Sequence, residues 1–158
     1  MDTLLKLLDE NARLSLEELA SLTGRSITDV AAKIDSYENA GVLRGYKAVI
    51  DWERAGSDYV SSFIEVRVSP KYSFGFDEFA SVVSEFPEVQ SVYLMSGGYD
   101  ILLEVLAKTF KDVAMFVSKR LAPMESVLST ATRFMLKRYK ERGVLFVDAQ
   151  RDERGFTI

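Results

Sequence analysis

The period of the apolar residues changes once along this chain, and that change limits the possible folds more than any other feature. Between Leu4 and Leu43 apolar side chains recur at spacings of three and four, whereas at 60–68 a residue-by-residue alternation appears for the first time. The first pattern puts one apolar stripe on a helix, and the second puts one apolar face on a strand. The 158 residues therefore divide into a helical domain at 1–50, a linker at 51–58 containing Gly56, a mixed domain at 59–140 and a tail at 141–158.

In the helical part, Leu4, Leu5, Leu7 and Leu8 open a first helix, closed by Glu10, Asn11 and Arg13. Ser15-Leu16-Glu17-Glu18 reads as a capping box, with Leu19, Ala20 and Leu22 facing inward behind it. Gly24 suits a left-handed turn, and Ser26-Ile27-Thr28-Asp29 starts a longer helix. Its expected buried stripe is Ile27, Val30, Ala31, Ile34 and Tyr37, ending at Gly41. Two short helices, a tight turn and a longer third helix outline a helix-turn-helix, and residues 42–50 favour extended structure after it.

In the second part, Val60, Ile64, Val66 and Val68 mark a first strand that Pro70 ends. A helix follows with Phe76, Phe79, Ala80, Val83 and Phe86 on one face, and Pro87 stops it. Residues 89–95 form a strand that turns through Ser96-Gly97-Gly98-Tyr99-Asp100 into another at 101–107. Thr109 and Asp112 cap a second helix, with the stripe Phe110, Val113, Ala114, Val117 and Leu121, and 127–136 is the last strand. Residues 86–92 and 121–127 correspond as a weak internal repeat, one βαβ unit per half. The fold class is thus α+β: an N-terminal helix-turn-helix and a C-terminal ferredoxin-like βαββαβ domain with both helices on one face of its sheet. Phe63, Leu102 and Leu106 fall on the other phase of their strands, so both sheet faces are apolar. A face of that kind is expected to meet another subunit, giving at least a homodimer.

Composition narrows function. The chain has no Cys and no His, which removes thiol nucleophiles, imidazole bases and Cys/His metal sites. Asp100 with Glu104 or Tyr99 is the nearest approach to an acid-base pair, with no nucleophile spacing or phosphate loop beside it, so no catalytic residue and no cofactor is expected. No leader and no apolar run long enough for a membrane span is visible, and a cytoplasmic protein without membrane contact is expected.

Three ordered motifs carry a resemblance: Asn11-Ala12-Arg13-Leu14-Ser15 with Glu18-Leu19-Ala20, then Gly41-Val42-Leu43-Arg44-Gly45-Tyr46, and finally Ser96-Gly97-Gly98-Tyr99-Asp100 between two strands. Over nearly its whole length the chain resembles the Lrp/AsnC (feast/famine) transcriptional regulators. The resemblance implies an N-terminal winged helix-turn-helix, with residues 42–50 as its wing, in a dimer, often a tetramer or octamer, that binds double-stranded promoter DNA and is tuned by an amino acid held between regulatory domains. Gly97 and Gly98 would then allow backbone amides to approach a ligand carboxylate, and Asp100 would answer its ammonium. Met95, Ser96 and Tyr99 would line the slot, and Thr130 and Thr132 would add hydroxyls across an interface. The turn is equally consistent with a tight hairpin in which Asp100 bonds nearby backbone.

The candidate DNA contacts are Arg25, Lys33, Arg44 and Lys47 for phosphates, with Ser26, Thr28 and Ser36 near bases. Their setting is acidic. Residues 26–39 hold Lys33 against Asp29, Asp35 and Glu38, and the family has basic residues where Ala32 and Ser36 stand. Two readings stay open: a regulator with weak contacts multiplied by oligomerisation, or an amino-acid-binding assembly protein whose helix-turn-helix is an interaction module. A basic run, Arg133, Lys137, Arg138, Lys140 and Arg142 opposed only by Glu141, either contacts DNA outside the main site or pairs with acids such as Asp148, Asp152 and Glu153.

Overall fold

The computed structural model describes residues 2–57, 59–69 and 75–146. The chain divides into two compact units, residues 1–49 and 50–158.

The first unit contains helices α1 (Thr3–Glu10), α2 (Leu16–Thr23) and α3 (Ile27–Asn39). Local chemistry sets each start. The Asp2 carboxylate caps α1, Ser15 and Glu18 form a reciprocal capping box on α2, and Ser26 caps α3 through the Asp29 amide. Gly24 takes the left-handed conformation, with φ of 67°, between α2 and α3. Leu4, Leu8, Leu19, Ala20 and Val30 form the core, with Ile34, Tyr37 and Leu43 packed against it. Two expected core residues are solvent-facing: Leu22 is 57% exposed and Ile27 47%. Both flank the turn between α2 and α3, Leu22 in the last turn of the one and Ile27 at the start of the other. Residues 42–50 contain no strand, so the expected wing is an unpaired segment. Its amides at Val42 and Leu43 instead close the end of α3 by bonding the Tyr37 carbonyl.

The second unit begins with a hydrogen-bonded turn rather than an open linker: the amides of Ala55 and Ser57 bond the carbonyls of Asp51 and Trp52. Then come β1 (Val60–Val68), α4 (Phe76–Ser84), β2 (Val89–Leu94), β3 (Ile101–Ala107), α5 (Phe110–Phe116), β4 (Val127–Phe134), β5 (Lys140–Glu141) and β6 (Val144–Leu145). Pro70, expected to end β1, lies outside the described residues. The main sheet has the order β2-β3-β1-β4 with antiparallel neighbours, the ferredoxin-like arrangement. Alternation decides its inner face. Ile64, Val66 and Val68 of β1 and Ile101, Leu103 and Val105 of β3 pack with Phe79, Val83, Phe116 and Leu121 of the helical layer.

The second helix departs from its expected stripe. Ala114 is exposed, while Phe116 is buried, because α5 runs into a π turn at Val117–Leu121 in which the Ala122 amide reaches the Val117 carbonyl. A turn widened by one residue lets Phe116 and Leu121, five apart, face the same core. Phe110, also expected inside, is 60% exposed and stacks edge-on against Phe134. Beyond β4, the short hairpin of β5 and β6 occupies the start of the expected tail at 141–158.

Candidate functional site

The turn between β2 and β3 is built by the last rungs of the sheet. Leu94 pairs with Ile101, and the Met95 amide then bonds the Asp100 carbonyl at 2.8 Å, leaving residues 96–99 as the loop. Gly97 has φ of 128°, a conformation closed to most side chains, whereas Gly98 does not need the freedom of glycine. The amides of Gly97, Gly98 and Tyr99 make no hydrogen bond among the described residues, so they remain available to an anion.

Asp100 is already engaged. Its Oδ2 accepts the Val68 amide at 2.9 Å and its own amide bonds the Val66 carbonyl at 3.0 Å, so it finishes the β1 edge where the regular ladder stops. Arg67, which the sequence reading did not single out, donates from Nε to the Gly98 carbonyl at 2.8 Å and pins the loop to β1. Its signal was only a cation at a strand end. Met95 and Ser96 are exposed, Tyr99 half-buried.

Thr130 and Thr132 are not brought to this turn within one chain. They pair with Val66 and Ile64, two strands from β3 and about 10 Å across the sheet. Antiparallel partners share a face, so both threonines lie on the helix-facing side of β4. The opposite face presents Phe63, Leu102 and Leu106, all half-buried, beside a forked ion pair of Arg133 with Glu65 at 2.6 and 3.1 Å. That pair holds the Glu65 carboxyl below the usual carboxylate range.

A broad cleft of about 820 Å³ lies between the 51–57 turn, including Trp52, and the chain after β4, including Met135 and Arg138. Neither Trp52 nor the cleft was flagged by a motif, because its walls come from segments far apart in sequence.

In the first unit, α2, the Gly24 turn and α3 make the helix-turn-helix, with Thr28, Asp29, Ala32, Asp35 and Ser36 on the exposed side of α3. Three expected DNA contacts are committed elsewhere. Arg25 reaches Asp2 at 3.4 Å, Ser26 Oγ caps α3 while donating to Asp29 at 2.7 Å, and Lys33 Nζ sits 4.9 Å from the centre of the Tyr37 ring. Arg44 and Lys47 are exposed on the unpaired segment.

Residues 61–145 match the Lrp/AsnC ligand binding domain. The chain belongs to the Lrp/AsnC family. It is 43% identical, over 96% of its own length and 92% of the relative's, to the uncharacterized HTH-type transcriptional regulator YugG of Bacillus subtilis. It is 33% identical, over 77% of its length and 79% of the relative's, to the proline dehydrogenase transcriptional activator of Rhodobacter capsulatus. The family fold is also seen in the solved transcriptional regulator from Neisseria meningitidis in complex with L-Met. That structure gives a TM-score of 0.72 at 27% identity and covers 89% of this chain and 93% of its own. No helix among the described residues is long and apolar enough to cross a membrane.

Proposed function

We propose that this protein is a DNA-binding transcriptional regulator whose assembly or affinity for duplex DNA responds to an amino acid held at the 95–100 turn. The observation that carries the reading is the loop itself: three unbonded amides beside a carboxylate with one oxygen committed to backbone. That pattern suits a ligand bearing both carboxylate and ammonium. The Gly97 and Gly98 amides take the carboxylate, the remaining Asp100 oxygen takes the ammonium, and Met95, Ser96 and Tyr99 surround the side chain. Thr130 and Thr132, on the helix-facing side of β4, join the site only from a subunit that meets the turn with that edge rather than with the outer sheet face. A relative solved with L-Met supports an amino acid as effector.

On the DNA side, Thr28 and Ser36 face bases, Arg44 and Lys47 take phosphates, and Arg25, Ser26 and Lys33 hold the turn and α3 in place. Regulator relatives support this role over catalysis. The half-buried Phe63, Leu102 and Leu106 face a second copy, which makes a homodimer the smallest assembly.

The test is a thermal-midpoint scan against a panel of amino acids, with a mobility shift on duplex DNA from the protein's own upstream region. One amino acid is expected to raise the midpoint, since a ligand that binds only the folded state stabilises it. Asp100→Asn, which keeps one carbonyl oxygen for the Val68 amide, is expected to abolish that rise. A rise untouched by Asp100→Asn places the ligand elsewhere. Absence of any DNA shift at low salt, with and without the panel, sinks the regulator in favour of an assembly protein.

A further inference from the structure

The helix-turn-helix has the shape of a DNA reader without its charge. Residues 1–50 hold six basic side chains against eight acidic ones, and Arg25 is already paired with Asp2. Phosphate neutralisation supplies much of the affinity of any DNA-binding protein, so the cations must come from somewhere.

They are concentrated after β4, where residues 133–142 hold five basic side chains and one acidic. Two of the five are neutralised, Arg133 by Glu65 and Arg138 by Glu141 at 2.8 Å. Lys137, Lys140 and Arg142 are exposed and have no carboxylate partner among the described residues; Lys137 Nζ sits 5.2 Å from the centre of the Tyr139 ring, a contact that leaves its charge uncompensated. Lys140 and Arg142 lie on the β5–β6 hairpin, whose two-residue turn is Arg142 with φ of 45° and Gly143 with φ of 84°. Positive φ at both positions matches the twist of the strands, but it normally selects Asn, Asp or Gly at the first. Arg142 is the one non-glycine residue with positive φ among the described residues. A strained backbone that keeps a cation at a hairpin tip points to a use for the cation.

We propose that this hairpin and the segment leading into it are a second DNA contact, in which Lys137, Lys140 and Arg142 grip the phosphate backbone of duplex DNA without reading its sequence. The inference rests on the DNA-binding reading above and adds to it a site in the regulatory half of the chain. Each phosphate contact releases counterions, so each should add about 0.9 to the slope of log affinity against log salt.

The test titrates the full chain by fluorescence anisotropy between about 50 and 200 mM salt, on the upstream duplex and on an unrelated duplex of equal length. Four proteins are compared: wild type, Lys137→Gln/Lys140→Gln/Arg142→Gln, Arg142→Gly and Arg44→Gln/Lys47→Gln. The triple variant is expected to lose about two to three units of slope on both duplexes, with its mass by light scattering unchanged. Arg142→Gly, which relieves the turn, is expected to hold or raise the thermal midpoint while losing about one unit of slope. A triple variant with wild-type slope and affinity, while Arg44→Gln/Lys47→Gln weakens binding, overturns the hairpin contact and leaves the regulator standing. A triple variant that falls to a smaller assembly also overturns it, assigning the hairpin to subunit contacts. Wild type that binds neither duplex overturns both.

Discussion

Asp2 does three things at once. It caps α1 through the Leu4 amide at 3.0 Å, accepts the Tyr37 hydroxyl at 2.6 Å and pairs with Arg25. The Tyr37 hydrogen bond, then the Leu4 amide, then the Arg25 charge hold its carboxyl below the ordinary aspartate range, while the same bond raises the Tyr37 phenol. A carboxyl depressed in the folded state contributes stability that is complete above about pH 4 and disappears as pH falls through the lower folded value. Asp2→Asn keeps a capping oxygen but no charge, so the variant should melt below wild type at neutral pH, and the gap should close on acidification. Thermal midpoints from acid to neutral pH check this; a gap of constant size would assign the whole effect to neutral hydrogen bonding. The sequence offered no route to this network, because Arg25 and Tyr37 lie 23 and 35 residues from Asp2 and meet it only in the folded unit.

Helices and strands were legible where period and caps agreed. Ser15, Ser26 and Thr109 each start a helix as their spacing to Glu18, Asp29 and Asp112 implies, and β3 runs over the residues expected for it after the glycine turn. Stripes were less reliable than starts. A straight 3.6-residue period placed Ala114 inside and missed Phe116, since no propensity announces a π turn. On α3 the same period could not say how far the apolar stripe stays covered. Val30 is fully buried and Ile27 half-exposed, so Val30→Ala should cost about 2 kcal/mol, whereas Ile27→Ala should stay within about 0.5 kcal/mol. Urea unfolding of the two variants measures the difference, and equal losses would mean that Ile27 is covered in the assembled protein.

Across the whole molecule, the two sheet faces of the second unit have different fates. The inner face is closed by α4 and α5, with Arg120 stacked on Phe86 at 4.1 Å and bonded to Glu88 at 2.8 Å at its margin. The outer face keeps Phe63, Leu102 and Leu106 half-buried around the Glu65–Arg133 pair. Replacing Phe63 or Leu106 with Lys should therefore reduce the mass measured by light scattering while leaving the single-chain fold intact by circular dichroism. Unchanged mass in both variants would remove this face from the assembly.

Sequence alone determined the two-part architecture, the order of helices and strands, and the location of the glycine turn, because each depends on periods and caps contained within a few neighbouring residues. Tertiary structure decided which of those residues are free to act. It tied Arg25, Ser26 and Lys33 to neighbours, set Asp100 on the Val68 amide, kept Thr130 and Thr132 away from the turn of their own chain, and left Lys140 and Arg142 exposed on a hairpin with Lys137 just before it. Those outcomes depend on pairings between residues distant in sequence, which no local pattern specifies.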